Sequence, residues 1–201
     1  EMAFLNKGLR IVLIDKRNEK TETFFAEGGI TEFVSWINRA KNPIHKPIYF
    51  IQSKDDYEVE VALQWTNSYN EVISSYANNI NTPEGGTHVS GLKTALTRVL
   101  NAYAKDNNLL KGINITLTGD DMREGLSAII SVKLKEPQFE GQTKSKLGNS
   151  EVEGIMNSMI GESLKVFLEE NPNLAKSIIK KSIDAAAARE AAKKARELTR
   201  R

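Results

Sequence analysis

Between Tyr57 and Trp65 the chain alternates strictly, with Tyr57, Val59, Val61, Leu63 and Trp65 separated by Glu58, Glu60, Ala62 and Gln64. A period of two predicts a β-strand with one buried face and one mostly wet face. Trp65 belongs to the buried set and reads as a core residue rather than a platform for a stacked base. The Asp55-Asp56 turn joins this strand to an earlier run from Pro47 to Ser53, and a third run, about Glu71 to Ala77, is predicted to complete an antiparallel meander. Ser127 to Leu134 is a further strand, placing Ala128, Ile130, Val132 and Leu134 on one face and Ile129 on the other. Near the start, Glu1 to Asn6 reads as a helix end closed by Gly8, followed by an alternating strand from Leu9 to Asp15.

Spacings of three and four replace the period of two elsewhere. Ile30, Phe33, Val34 and Ile37 predict a short helix over Ile30 to Ala40, introduced by Gly28-Gly29. Pro43 and Pro47 end it and frame a linker, the best candidate for a domain boundary. Val89, Leu92, Leu96, Val99 and Tyr103 stripe a helix from about Thr87 to Asp106, which the loop Asn78 to Gly86 feeds. His88 at its start is suited to a neutral capping or hydrogen-bonding role, with catalysis the rarer use. Thr118-Gly119-Asp120-Asp121 is a helix start whose acidic groups face free amides; the cap accounts for the aspartates more simply than magnesium does, because no third ligand is near. Ser150 and Glu153 form a capping-box pattern for a helix to about Glu170. Asn171-Pro172 then starts a helix expected to run to the end.

The chain has 201 residues, enough for one large or two small domains. Its net charge of +2 excludes a strongly basic protein, so nucleic-acid contact would need local clustering. Such a cluster exists between Lys176 and Arg201, where nine basic residues face three acidic ones, a net +6 that leaves the remainder at −4. Charge alone fits DNA contact and an ordinary exposed helix equally well. Arg98 is similarly open between solvent and a cavity that DNA crosses. Cysteine is absent, removing disulfides and thiolate chemistry and suiting a reducing cytoplasm, and the two histidines are far apart, which argues against a metal site. No apolar run approaches a membrane span. There is no Gly-rich phosphate loop, and Gly85-Gly86 is too weak to count as one. The chain starts without methionine and inside an element, as expected of a piece of a longer protein.

The segment Phe139-Glu140-Gly141-Gln142-Thr143-Lys144-Ser145-Lys146-Leu147-Gly148-Asn149 displays two lysines and a glutamine between a strand and a helix. By composition it is a solvated turn. Its Gln142-Thr143-Lys144 tripeptide, however, resembles the Gln-Thr-Lys loop of the ATPase subunits of type II DNA topoisomerases, most closely the gyrase B family. The resemblance extends, in order, through Asn79-Ile80-Asn81-Thr82, Glu84-Gly85-Gly86-Thr87-His88, Ala95-Leu96-Thr97-Arg98, Thr118-Gly119-Asp120-Asp121, Arg123-Glu124-Gly125-Leu126 and Ala188-Arg189-Glu190-Ala191-Ala192. Leu92 replaces a family-typical aromatic and Gly148 a larger residue, departures that concern packing.

The resemblance implies an α+β fold, a four-stranded sheet (48–53, 57–66, 71–77, 127–134) packed on helices with a left-handed βαβ crossover and a long C-terminal helix. Residues 1–42 would be the tail of a GHKL ATPase domain with its linker, and 43–201 the transducer domain. Gln142 and Lys144 would contact the ATP γ-phosphate, Lys144 also serving catalysis, while ATP and Mg2+ bind mainly to sequence not included here. No metal ligand is assigned. Arg98, Arg189, Lys193, Lys194 and Arg196 would face DNA, and the partners would be double-stranded DNA, the gyrase A subunit and a second copy joined through the ATPase domain, all in the cytoplasm. Within the same family the alternative is a topoisomerase IV subunit. Outside it stand a free-standing nucleic-acid-binding module and a small nucleotide kinase, the latter disfavoured by the missing phosphate loop.

Overall fold

The computed structural model describes residues 1–199; Arg200 and Arg201, the end of the basic run, lie outside the described residues. The elements are α1 (Met2–Leu5), β1 (Ile11–Asp15), β2 (Lys20–Phe24), α2 (Gly29–Ile37), β3 (Ile48–Lys54), β4 (Tyr57–Trp65), β5 (Val72–Ala77) and β6 (Ile80–Asn81). They continue with α3 (Thr87–Asp106), α4 (Gly119–Arg123), β7 (Leu126–Lys133), β8 (Phe139–Glu140), β9 (Lys146–Leu147), α5 (Ser150–Glu170) and α6 (Pro172–Thr199). Among these, no helix is long and apolar enough to cross a membrane.

The main sheet corrects the predicted fold. It has five strands, not four, in the order β3-β4-β7-β5-β6, and it is mixed. The expected meander fails because β7 enters between β4 and β5, antiparallel to the first and parallel to the second. The fifth strand arises from a two-residue hairpin. Asn78 and Asn79 both take positive φ, 48° and 64°, so that Tyr76 pairs Asn81 and Ala77 pairs Ile80. Asparagine tolerates that conformation, and a two-residue loop of this kind matches strand twist. The Gln-Thr-Lys segment is likewise a hairpin, with β8 and β9 forming their own two-stranded sheet, and β2 pairs with β1 where only one strand was expected.

Alternation fixes which strand faces meet which helices. Val59, Val61 and Leu63 pair with Val132, Ile130 and Ala128, and this face packs on Leu92, Leu96 and Leu100 of α3 and Met156, Ile160 and Leu164 of α5. Trp65 is 1% exposed and donates its indole N–H to the Met122 carbonyl at 2.9 Å. The opposite face is wet only in part. Ala62, Tyr76 and Ile129 lie under Leu5, Ile30, Phe33 and Val34, so α1 and α2 cover the sheet there. Gln64 is buried with them and satisfied: it accepts from Asn38 Nδ2 at 2.9 Å and donates to the His45 carbonyl at 2.8 Å, while Ser127 donates to Asn38 Oδ1 at 2.6 Å. The proline-framed segment is tied down too, with Ile44 N–H donating to the Trp65 carbonyl and Asn67 N–H to that of Asn42.

Helix starts divide. Thr118 and Asp121 form a complete capping box on α4. At α5 the N-cap is Asn149, not Ser150, and its side chain does not cap the helix. It bonds into the loop before it instead.

Candidate functional site

Gln142, Thr143 and Lys144 sit together on one hairpin. Phe139 pairs with Leu147 and Glu140 with Lys146, which leaves Gly141 to Ser145 as the connection. The reversal needs positive φ at Gly141 (74°) and at Lys144 (53°). Gln142, Thr143 and Lys144 are exposed. Among the described residues neither Gln142 nor Lys144 has a side-chain hydrogen bond or ion pair; the Lys144 ammonium stands 5.9 Å from the Phe139 ring centroid. Lys146 behind them is paired with Glu140 at 3.1 Å. The tip therefore presents one ammonium and one amide, both donors, suited to phosphoryl oxygens.

The root of the hairpin is held at two points. Asn149, 3% exposed, accepts from Gln138 N–H at 2.7 Å and donates to the Glu136 carbonyl at 3.1 Å. On the other side, Leu147 N–H donates to the Gly85 carbonyl at 3.1 Å, Glu84 N–H to the Ser145 carbonyl at 3.0 Å, and Gly86 forms a parallel bridge with Leu147. Gly85-Gly86 is thus the seat of the hairpin and not a phosphate loop. Sequence reasoning assigns no role to Asn149 or the glycine pair; the only signal is a Gly-Gly pair directly before a helix and an Asn directly after the loop.

His88 closes this seat from beneath. Its Nε2 lies 3.0 Å from Thr82 Oγ1, a hydroxyl that also reaches the Ser75 carbonyl at 2.9 Å. Among the described residues Nδ1 is buried without a partner, and burial pushes the imidazole pKa down to about 4. The ring is neutral and structural at ordinary pH.

The predicted DNA-facing residues separate. Arg98 on α3 donates to Asn157 Oδ1 and to its carbonyl at 3.1 Å on α5, and its guanidinium occupies the space a Cβ at Gly161 would need. Arg189 grips Asp121 with two bonds of 3.0 and 3.1 Å and the Thr116 carbonyl at 3.0 Å. Burial would raise the Asp121 pKa, but Arg189 and Thr118 together hold it below the usual carboxylate value. Asp120 is taken by Arg123 at 2.6 Å, so both aspartates serve the cap and its neighbours. Lys193, Lys194 and Arg196 lie beyond the last buried residues of α6 and are exposed. Among the described residues no group of three or more His, Asp or Glu side chains is placed to hold a metal ion.

This architecture is shared with ATPase regions of type II DNA topoisomerases. The 43K ATPase domain of Thermus thermophilus gyrase B, solved with an aminocoumarin, superposes with a TM-score of 0.89 at 43% identity, over 98% of this chain and 53% of that one. The topoisomerase IV ATP-binding domain of Francisella tularensis gives 0.78 at 31% identity, over 93% and 50%. Within that class the family model described as DNA gyrase B matches residues 29–198, and the chain belongs to the DNA gyrase B family. The DNA gyrase B protein of Clostridium acetobutylicum is 58% identical over 203 residues, covering all of this chain and 32% of the relative. The chain thus spans about a third of that relative's length.

Proposed function

We propose that this chain is the part of a gyrase-type ATPase subunit that reads the phosphate state of ATP and passes it on to DNA strand passage. Gln142 and Lys144 contact the γ-phosphate of a nucleotide held, with its Mg2+, by a GHKL domain whose binding motifs lie outside these residues. Residues 1–42 close that domain, and 43–201 form the coupling domain. The observation that carries the reading is the hairpin itself, whose root is bonded at both ends while its two donor side chains stand exposed and unpaired among the described residues.

The physics follows from differential contact. A ligand shifts a conformational equilibrium only as far as its affinities for the two states differ. Hydrogen bonds to charged groups contribute about 1.5–3 kcal/mol each, so two that form only with ATP bias the arrangement roughly a hundredfold or more. Losing the γ-phosphate removes that bias. The Lys144 ammonium also offsets charge that develops on the transferring phosphoryl group.

Double-stranded DNA, a gyrase A-type partner and a second copy of the chain complete the assembly. The exposed Lys193, Lys194 and Arg196 are the part of the basic helix best suited to DNA, because Arg98 and Arg189 also serve intrachain contacts. The test is ATP hydrolysis by a full-length subunit carrying this sequence, and DNA supercoiling by that subunit assembled with its gyrase A-type partner. Lys144→Ala is expected to bind ATP but lose both activities; retention of both overturns the reading. A topoisomerase IV-type protein instead relaxes and decatenates without introducing negative supercoils, so the same assay separates the two.

A further inference from the structure

We infer that Gly86 is a positioning residue for the phosphate-reading hairpin, an inference that rests on the function proposed above. Two observations carry it independently. The first is backbone conformation: Gly86 sits at φ 132°, ψ −163°, a region essentially confined to glycine. The second is a close approach. A Cβ built at Gly86 overlaps the carbonyl oxygen and the amide nitrogen of Leu147, the residue that ends β9. Backbone meets backbone there, so no side-chain rotation relieves the overlap.

The seat is rigid on its inner side. Gly85 N–H donates to the Thr82 carbonyl at 2.8 Å, His88 bonds Thr82, and Ser90 N–H donates to the Gly86 carbonyl at 3.0 Å as the first turn of α3. What yields when a side chain is added is the outer partner, β9, which begins two residues after Lys144. Gly86 acts on the γ-phosphate only through the hairpin. Asn149 holds the other end of the same hairpin, and loosening it has the same consequence by a different contact.

The experiment compares the affinities of a β,γ-imido ATP analogue and of ADP for the full-length subunit, together with kcat and KM for ATP. Gly86→Ala is expected to lower the preference for the triphosphate analogue about tenfold or more, the loss of one charged hydrogen bond, while ADP binding stays unchanged. Gly112→Ala is the control, a glycine at φ 80° with open space around it, so backbone strain is introduced away from the hairpin. It keeps the wild-type preference. In a Gln142→Ala/Lys144→Ala background Gly86→Ala loses no further preference, because Gly86 works through the side chains the hairpin carries. If Gly86→Ala does not fold, Asn149→Ala decides, with the same expected loss. Should Lys144→Ala lose the preference while Gly86→Ala and Asn149→Ala keep it, the positioning role falls and the phosphate reading stands. Should Lys144→Ala keep it, both fall.

Discussion

Asp121 fastens the C-terminal helix to the body of the protein, and replacing it tests that fastening quantitatively. Its Oδ2 accepts from Thr118 N–H and Thr118 Oγ1, both at 2.8 Å, and its two oxygens receive the Arg189 guanidinium. Asp121→Ala removes one side of the capping box, leaving the Thr118 N–H and the Thr118 hydroxyl each without its acceptor, about 1 kcal/mol apiece. The ion pair adds less than its geometry suggests, because the Arg189 side chain is 39% exposed and keeps the Thr116 carbonyl and Glu190; up to about 1 kcal/mol is the appropriate figure. The sum is about 2–3 kcal/mol, read by urea unfolding. A double-mutant cycle with Arg189→Met should return a coupling of roughly 0.5–1 kcal/mol. The pH dependence has a definite sign. The folded-state pKa lies below the ordinary 3.8, so the carboxylate stabilises the fold above that value and the contribution disappears as pH falls through the folded pKa. The variant therefore has a shallower acid limb below about pH 4. A loss under about 0.5 kcal/mol, additive with Arg189→Met, would refute the claim that this contact holds α6 in place.

Two further outcomes are expected. His88 has a folded pKa of about 4 against an ordinary 6.5, so the unfolded chain takes up the proton first and stability falls as pH drops between those values, by about 3 kcal/mol in all. His88→Gln, less stable at pH 7, should lack that component of the pH profile in thermal unfolding; an unchanged profile would place the titration elsewhere. Exchanging Lys193, Lys194 and Arg196 for glutamine should leave unfolding unaltered, since all three are exposed. It should reduce the slope of log affinity for duplex DNA against log salt by up to about 3 in the full-length subunit. An unaltered slope would remove this helix from the DNA interface.

The parts of the fold legible in the sequence are those set by a single period. The Tyr57–Trp65 alternation, the Ala128/Ile130/Val132 face, the α3 stripe and the Thr118–Asp121 cap all appear where the residues point. The errors come from information that no local window holds. Nothing between Tyr57 and Ala77 says that a strand fifty residues later will insert between β4 and β5, so local pattern points to a meander where the sheet is mixed. The wet face expected of Ala62 and Gln64 is covered by α2, a contact across the proline-framed segment. The Asn78-Asn79 hairpin is legible in principle, since two consecutive asparagines favour that turn, but the short β6 beyond it offers no alternation to read. β2 escapes for a related reason, because Lys20 to Phe24 is exposed throughout and carries no buried stripe.

For the site, motif and geometry contribute different things. Gln142 and Lys144 stand out only through resemblance, as a polar loop of that composition is ordinary. Gly86 and Asn149 emerge only from the backbone contacts that hold the loop, which depend on how α3 and β9 meet. Arg98 and Arg189 illustrate the reverse case, in which charge suggests DNA while the helix contacts supply an intrachain partner.

The most direct test of the central claim is the ratio of affinities for a β,γ-imido ATP analogue and for ADP in the full-length subunit, wild type against Lys144→Ala. A tenfold or larger fall in that ratio, with ADP affinity intact, is the result expected if the Lys144 ammonium meets the γ-phosphate. An unchanged ratio would make the hairpin tip ordinary surface and contradict the account.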